Sequence, residues 1–227
     1  MVIPQQLPLS LQLRASATFD NFIAGDNGAL LHLLRETSEQ YLYLWGPQAS
    51  GKSHLLQALC HACHAGGVSA AYIPLQHDDI SSPEILLGLE AVDVICLDDV
   101  ETIAGHAQWE NALFNLFNRV KEANGRLVIA AEAAPNQLGL LLPDLVSRLN
   151  WGVVYQMAQL GDEQKIKLLQ QRASQAGMVL PHEVAKYLLT RSPRDLASLL
   201  ALLERLDHAS LAAQRKLTIP FVRQFID

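Results

Sequence analysis

Eight consecutive residues, Gly46-Pro47-Gln48-Ala49-Ser50-Gly51-Lys52-Ser53, have the types and spacing of a phosphate-binding loop, G-x-x-x-x-G-K-[ST]. Glycine at each end lets the backbone turn its N–H groups inward toward phosphate oxygens. Lys52 is placed to reach β- and γ-phosphates, and the Ser53 hydroxyl to ligate Mg²⁺. A second run, Val92-Asp93-Val94-Ile95-Cys96-Leu97-Asp98-Asp99, is apolar and ends in two acids. In a phosphate-loop protein such a strand lies next to the loop. Its first acid, Asp98, holds Mg²⁺ and its second, Asp99, orients the attacking water. Hydrolytic proteins of this kind often carry Glu at the second position, and Asp99 is one methylene shorter. The run Ile129-Ala130-Ala131-Glu132-Ala133-Ala134-Pro135 offers mostly methyl groups where a γ-phosphate contact is usual. Its polar residue, Glu132, would set a second negative charge beside that phosphate. The hydrolytic equipment is therefore expected to be thin.

These groups need elements to hold them. Tyr41–Trp45 reads as a buried strand before the loop, and 54–65 as a helix after it, stopped by Gly66-Gly67. Four further strands are expected at 69–74, 92–97, 126–131 and 153–157. Helices are expected at 27–35, with Leu30, Leu31 and Leu34 as its apolar stripe, and at 109–123, with Leu113, Leu116, Phe117 and Val120 at helical spacing. Alternating strands and helices imply a five-stranded parallel sheet flanked by helices, an α/β fold. From Gly161 the pattern becomes all-helical: 162–176, 181–189, 194–209 and a last run opening near Pro220. The expected organisation is an arm at 1–17, an α/β nucleotide-binding domain at 18–158 and a small helical lid at 159–227.

The chain has 227 residues, half of them hydrophobic, so one moderate domain with an appendage can bury a core. A net charge of -6 argues against a stand-alone, sequence-specific DNA-binding surface. No apolar run is long enough to span a membrane, and the N-terminus lacks a signal-peptide pattern, so a cytoplasmic protein with reduced thiols is expected. Cys60-His61-Ala62-Cys63-His64 spells a haem-attachment motif. Its place inside a helix that follows the phosphate loop favours core packing instead.

The order of these motifs resembles the AAA+ module of the replication initiator DnaA over nearly the whole chain. Thr18-Phe19-Asp20-Asn21-Phe22 with Gly25 resembles the segment by which that family borders adenine. Ser147-Arg148-Leu149-Asn150-Trp151-Gly152, Pro193-Arg194-Asp195-Leu196 and Leu217-Thr218-Ile219-Pro220-Phe221-Val222 follow in family order. The connection from Tyr72 to Val92 is shorter than in the initiator, and the chain ends at Asp227 where the initiator continues into a helix-turn-helix domain. The resemblance is therefore to the Hda group of DnaA-related regulators, which work with the sliding clamp of DNA polymerase III.

That resemblance implies several residue roles. Phe22, Gly46 to Ser53, His54 and Arg194 would hold an adenine nucleotide, ADP in preference to ATP, with Mg²⁺ on Ser53 and Asp98. Arg148 sits where related ATPases place an arginine finger, a permanently charged fork for phosphate oxygens supplied to a neighbouring subunit. Ser192 and Asp195 would cap a helix with Pro193 at its first position, aiming Arg194 at its own nucleotide. Gln6-Leu7-Pro8-Leu9-Ser10-Leu11 resembles clamp-binding peptides: Pro8 favours an extended backbone, Leu7, Leu9 and Leu11 fill apolar pockets, and Gln6 supplies an amide. The implied function is stimulation of hydrolysis of DnaA-bound ATP, hence negative control of replication initiation, with self-association plausible. The alternative is a stand-alone AAA+ ATPase such as a helicase-loader-like motor.

Overall fold

The computed structural model describes residues 13–14, 17–36, 39–78, 80–213 and 215–226. The expected clamp-binding residues Gln6, Leu7, Leu9 and Leu11 lie outside the described residues. The chain divides into two compact units. The first comprises the described residues to Phe22, 27–47 and 51–157; the second comprises 23–26, 48–50 and the described residues from Ala158.

In the first unit the elements run α1 (Gly28–Glu36), β1 (Tyr41–Trp45), α2 (Lys52–Ala65), β2 (Ala70–Pro74), β3 (Val94–Asp98), α3 (Ala107–Glu122), β4 (Arg126–Ala131), α4 (Pro143–Leu149) and β5 (Val153–Gln156). The strands form one parallel sheet in the order β2-β3-β4-β1-β5. Sheet position β1 is thus flanked by β4 and β5. In the sheet β4 intervenes between β3 and β1, yet the acids at the end of β3 lie near enough to the loop for their charges to act on Lys52. The chain leaves β1 toward the β2 edge and returns through β3 and β4, so the order reverses at β1, where open α/β sheets bind ligands at strand C-termini.

All five residues of β3 are buried, as are the last five of β4, the pattern of strands covered on both faces. One face packs Leu113, Leu116, Phe117 and Val120 of α3 with Leu145 and Leu149 of α4. The opposite face packs Leu30 and Leu34 of α1 with Leu55, Leu56, Leu59 and Cys60 of α2. Cys60 and Cys96 are buried free thiols, and no cluster of metal-binding side chains occurs among the described residues. Arg126 closes α1 by donating to the backbone oxygens of Leu33 and Leu34 at 2.9 and 3.1 Å. Leu13 packs on the second core, and the Arg14 backbone N–H donates to Gln57 Oε1 at 2.9 Å.

The second unit contains α5 (Asp162–Gln175), α6 (His182–Arg191), α7 (Leu196–Ala213) and α8 (Ile219–Val222). Its own core joins Ile166 and Leu169, Leu188 and Leu189, Leu199 and Leu203, and Phe221 and Val222. No helix among the described residues is long and apolar enough to cross a membrane.

Candidate nucleotide site and cation shelf

Gly51 has φ 99°, and a Cβ built there would meet the Phe22 ring at 2.7 Å. Glycine is therefore required twice over, by backbone conformation and by the close approach of Phe22. Ala49, also left-handed at φ 59°, completes the sharp loop. The Gly46 N–H donates to Ala131 O at 3.2 Å, which ties the loop to the end of β4. The neighbouring His54 lies on α2 with its ring 5.6 Å from that of Phe22, and its Nε2 is 2.8 Å from Thr18 O. Phe22, Gly51 and His54 are thus brought together.

Lys52 is 6% exposed. Its ammonium donates to Gly46 O at 2.8 Å and Pro47 O at 3.0 Å. Burial pulls its pKa below the ordinary lysine value; the nearby negative charges of Glu101, Asp98, Glu132 and Asp99 oppose that shift, in that order. Asp98 is wholly buried. Tyr72 Oη donates to its Oδ2 at 2.8 Å, and the Asp99 N–H to its Oδ1 at 3.1 Å. Asp99 takes φ 58° and its pKa is pushed up to about 6, by burial first and then by Asp98 and Glu101. Glu101 is also raised, chiefly by burial, and its Oε2 accepts the Glu132 N–H at 3.1 Å.

The loop fits a phosphate group. Its Ser50 hydroxyl is buried with no partner among the described residues. The backbone N–H groups from Gln48 to Gly51 donate to nothing among the described residues. Donors arrayed around a sharp turn suit an anion. Buried Asp98, with one oxygen on Tyr72 and the other on the backbone, retains lone pairs for a hard cation or its waters.

Arg194 stands differently from its expectation. Helix α7 begins at Leu196, not Pro193, and Asp195 caps it by accepting the Ser198 N–H at 2.8 Å. The Ser198 bonds hold the Asp195 carboxyl below its usual range. Ser192 closes α6 instead, its hydroxyl buried with no partner among the described residues. Aspartate outcompetes serine as the cap here because its carboxylate reaches the third helical N–H directly. Arg194 therefore precedes the cap, is exposed, and accepts the Lys165 ammonium on its backbone oxygen at 2.7 Å.

Arg148, on α4, lies over a shelf of rings. Its Cζ is 4.9 Å from the Trp151 centroid and 5.9 Å from those of Phe114 and Phe117. Tyr41 stacks on Phe117 at 4.6 Å and on Trp151 at 6.1 Å. Lys121 Nζ stands 4.0 Å from the Trp151 centroid. A Cβ on Gly152 would come within 2.1 Å of Tyr41 O, so only glycine lets the turn after α4 press against β1. Glu110, wholly buried, holds the entry to α4: its carboxylate accepts the N–H groups of Gly105, Leu141 and Leu142 at 2.8–3.0 Å.

Tyr72, Glu101, Glu110 and the stacked rings were not singled out as site residues from the sequence. Glu101, two positions beyond the double aspartate, had a readable signal in its spacing. Glu110 had none, because two of its three partners, Leu141 and Leu142, lie about thirty residues away in the chain.

A profile described as the bacterial DnaA ATPase domain matches residues 75–156, and one described as the Hda lid domain matches residues 162–226. Domain III of DnaA from Thermotoga maritima superposes with a TM-score of 0.81 at 20% identity, over 95% of this chain and 99% of that one. AMPPCP-bound DnaA from Aquifex aeolicus gives 0.68 at 22% identity, over 86% and 66%. A RuvB variant from Thermotoga maritima gives 0.67 at 14% identity, over 92% and 70%. Sheet order, phosphate loop and helical second unit thus define an AAA+ module. Within that class, the two profile matches support an Hda-like, DnaA-related protein.

Proposed function

We propose that the chain is a regulatory nucleotide-binding protein which, together with the DNA-loaded sliding clamp, stimulates hydrolysis of ATP bound to DnaA. The carrying observation is Arg148: a permanently charged side chain on the shelf, whose N–H donors have no acceptor among the described residues. An arginine supplied to a neighbour's phosphates accelerates hydrolysis by about 10³–10⁵. The chain's own loop supports binding. Gln48 to Ser53 wrap the phosphates, Lys52 exchanges loop carbonyls for phosphate oxygens, and Phe22 and His54 border the base. A bound Mg²⁺ neutralises phosphate charge, with Ser53 and Asp98 as its protein-side partners. The AMPPCP complex of the Aquifex aeolicus DnaA supports an adenine nucleotide here. Asp99, Glu101 and Glu132 crowd the loop with negative charge, which favours ADP over ATP and weak turnover. Leu7, Leu9 and Leu11 with Gln6 dock on the clamp in this reading.

The test is single-turnover hydrolysis of DnaA-bound ATP, with and without DNA-loaded clamp. Arg148→Ala should abolish the stimulation; an unchanged rate removes the proposal. Turnover by the isolated chain, lost on Asp99→Asn, would make it a stand-alone ATPase instead.

A further inference from the structure

The guanidinium of Arg148 meets three rings, and among the described residues its N–H groups meet no acceptor. Those N–H groups lie in the guanidinium plane, while stacking engages its faces. With its Cζ over the Trp151 ring, the guanidinium is restrained by the ring while its N–H donors remain unspent among the described residues. Of the three rings, that of Trp151 is nearest and is itself fixed. It lies 10° from parallel to Tyr41 and 23° from Phe117, and its backbone N–H donates to Arg148 O at 3.0 Å. Gly152 then locks the turn against β1. Yet Trp151 is 49% exposed, unusual for so large an apolar ring. A purely structural tryptophan would be better buried. At the surface, it gains by holding a cation whose edge must face outward.

We propose that Trp151 is a positioning residue for Arg148: it clamps the guanidinium face so that the fork is presented, pre-oriented, to phosphate oxygens of a partner. The inference rests on the reading of Arg148 as a group supplied in trans. Lys121 places a second positive charge over the same ring. Misplacing a catalytic group by about 1 Å costs on the order of 100-fold, so loss of the clamp should show in rate and not in partner affinity.

Two measurements on the full chain test this separately. With ¹⁵N-labelled arginine, the Arg148 Hε resonance, assigned through Arg148→Ala, should lie upfield through the ring current of Trp151. Most of that shift should be lost in Trp151→Leu, where Phe114 and Phe117 remain, and it should be kept in Trp151→Phe. In single-turnover hydrolysis of DnaA-bound ATP with loaded clamp, Trp151→Leu should slow the stimulated rate about 10- to 100-fold. Trp151→Phe should stay within about threefold of the wild type, and the DnaA concentration for half-maximal stimulation should not move. If Trp151→Leu fails to fold, Trp151→Met keeps the bulk without the π face and carries the same expectation. A wild-type rate for the Leu or Met variant, with Arg148→Ala inactive, overturns the clamp and spares the finger. Equal losses in Trp151→Phe and Trp151→Leu also overturn it. An Arg148→Ala protein as active as wild type overturns both.

Discussion

Lys52 and Arg148 are cations in opposite circumstances on one sheet. Lys52 is buried, hydrogen-bonded to two loop carbonyls and surrounded by the charges of four acids. Arg148 is half-buried on aromatic faces, with its donors unspent among the described residues. The first is committed within its own loop; the second is offered outward. The same fold thus holds one cation committed to its own loop and another with its donors unspent among the described residues, the contrast on which the proposed function turns.

The sharpest way to break the comparison is a double dissociation. Arg148→Ala should lower stimulated hydrolysis of DnaA-bound ATP by about 1,000-fold while leaving ADP affinity, measured by calorimetry, within about twofold. Lys52→Ala should weaken ADP binding by about 100-fold, the loss expected of a charge-assisted phosphate contact, while leaving the Arg148 Hε resonance in place. If either variant changes both readouts comparably, the two cations belong to one site and the comparison fails.

The support beneath Arg148 is the next target. Glu110 receives the N–H groups at the entry to α4, the helix that carries Arg148. Glu110→Ala leaves three backbone donors without their carboxylate, and hydrogen bonds to charged acceptors contribute about 1.5–3 kcal/mol each. Allowing for water reaching exposed Leu141, a net destabilisation of about 3 kcal/mol is expected. It should be read as a lower urea midpoint at unchanged slope. A loss below about 0.5 kcal/mol would mean that α4 is held by apolar packing alone.

How far these two regions were legible differs for a physical reason. The phosphate loop is local: Gly46, Gly51, Lys52 and Ser53 lie within one turn, and β1 and α2 flank it as the apolar pattern implies. The parallel sheet follows from alternation, but its order does not. Sequence alone does not say that β4 stands between β1 and β3, although the acids of β3 still reach the loop. The double aspartate was visible, whereas its Tyr72 partner on β2 becomes a neighbour only through strand pairing. At the start of α7, local propensity pointed to Pro193, but the chain chose Asp195, because a carboxylate cap two residues later satisfies more than a proline at the first turn. Arg148 was legible as a residue type in a motif. Its shelf was not, since Tyr41, Phe117 and Trp151 come from three separate elements.

The smallest expected effect concerns why the loop of Lys52 should retain a diphosphate. Glu101 comes first among the negative charges acting on Lys52, and burial raises its own pKa, so its charge is poorly screened. A γ-phosphoryl group adds negative charge to a site that already holds Asp98, Asp99 and Glu132. At an effective dielectric near 20 and a separation of about 8 Å, one such pair costs about 2 kcal/mol before salt and Mg²⁺ reduce it. Glu101→Gln keeps an oxygen to accept the Glu132 N–H and removes only the charge. It should therefore shift the ATP-to-ADP affinity ratio toward ATP by about five- to tenfold, near 1 kcal/mol, with no change in thermal stability beyond about 0.5 kcal/mol. A ratio unmoved by Glu101→Gln but moved by Asp99→Asn would assign the discrimination to the strand end itself. The contrast between the retaining loop and the offered arginine would then rest on Asp99, the acid at the strand end, and not on the added carboxylate.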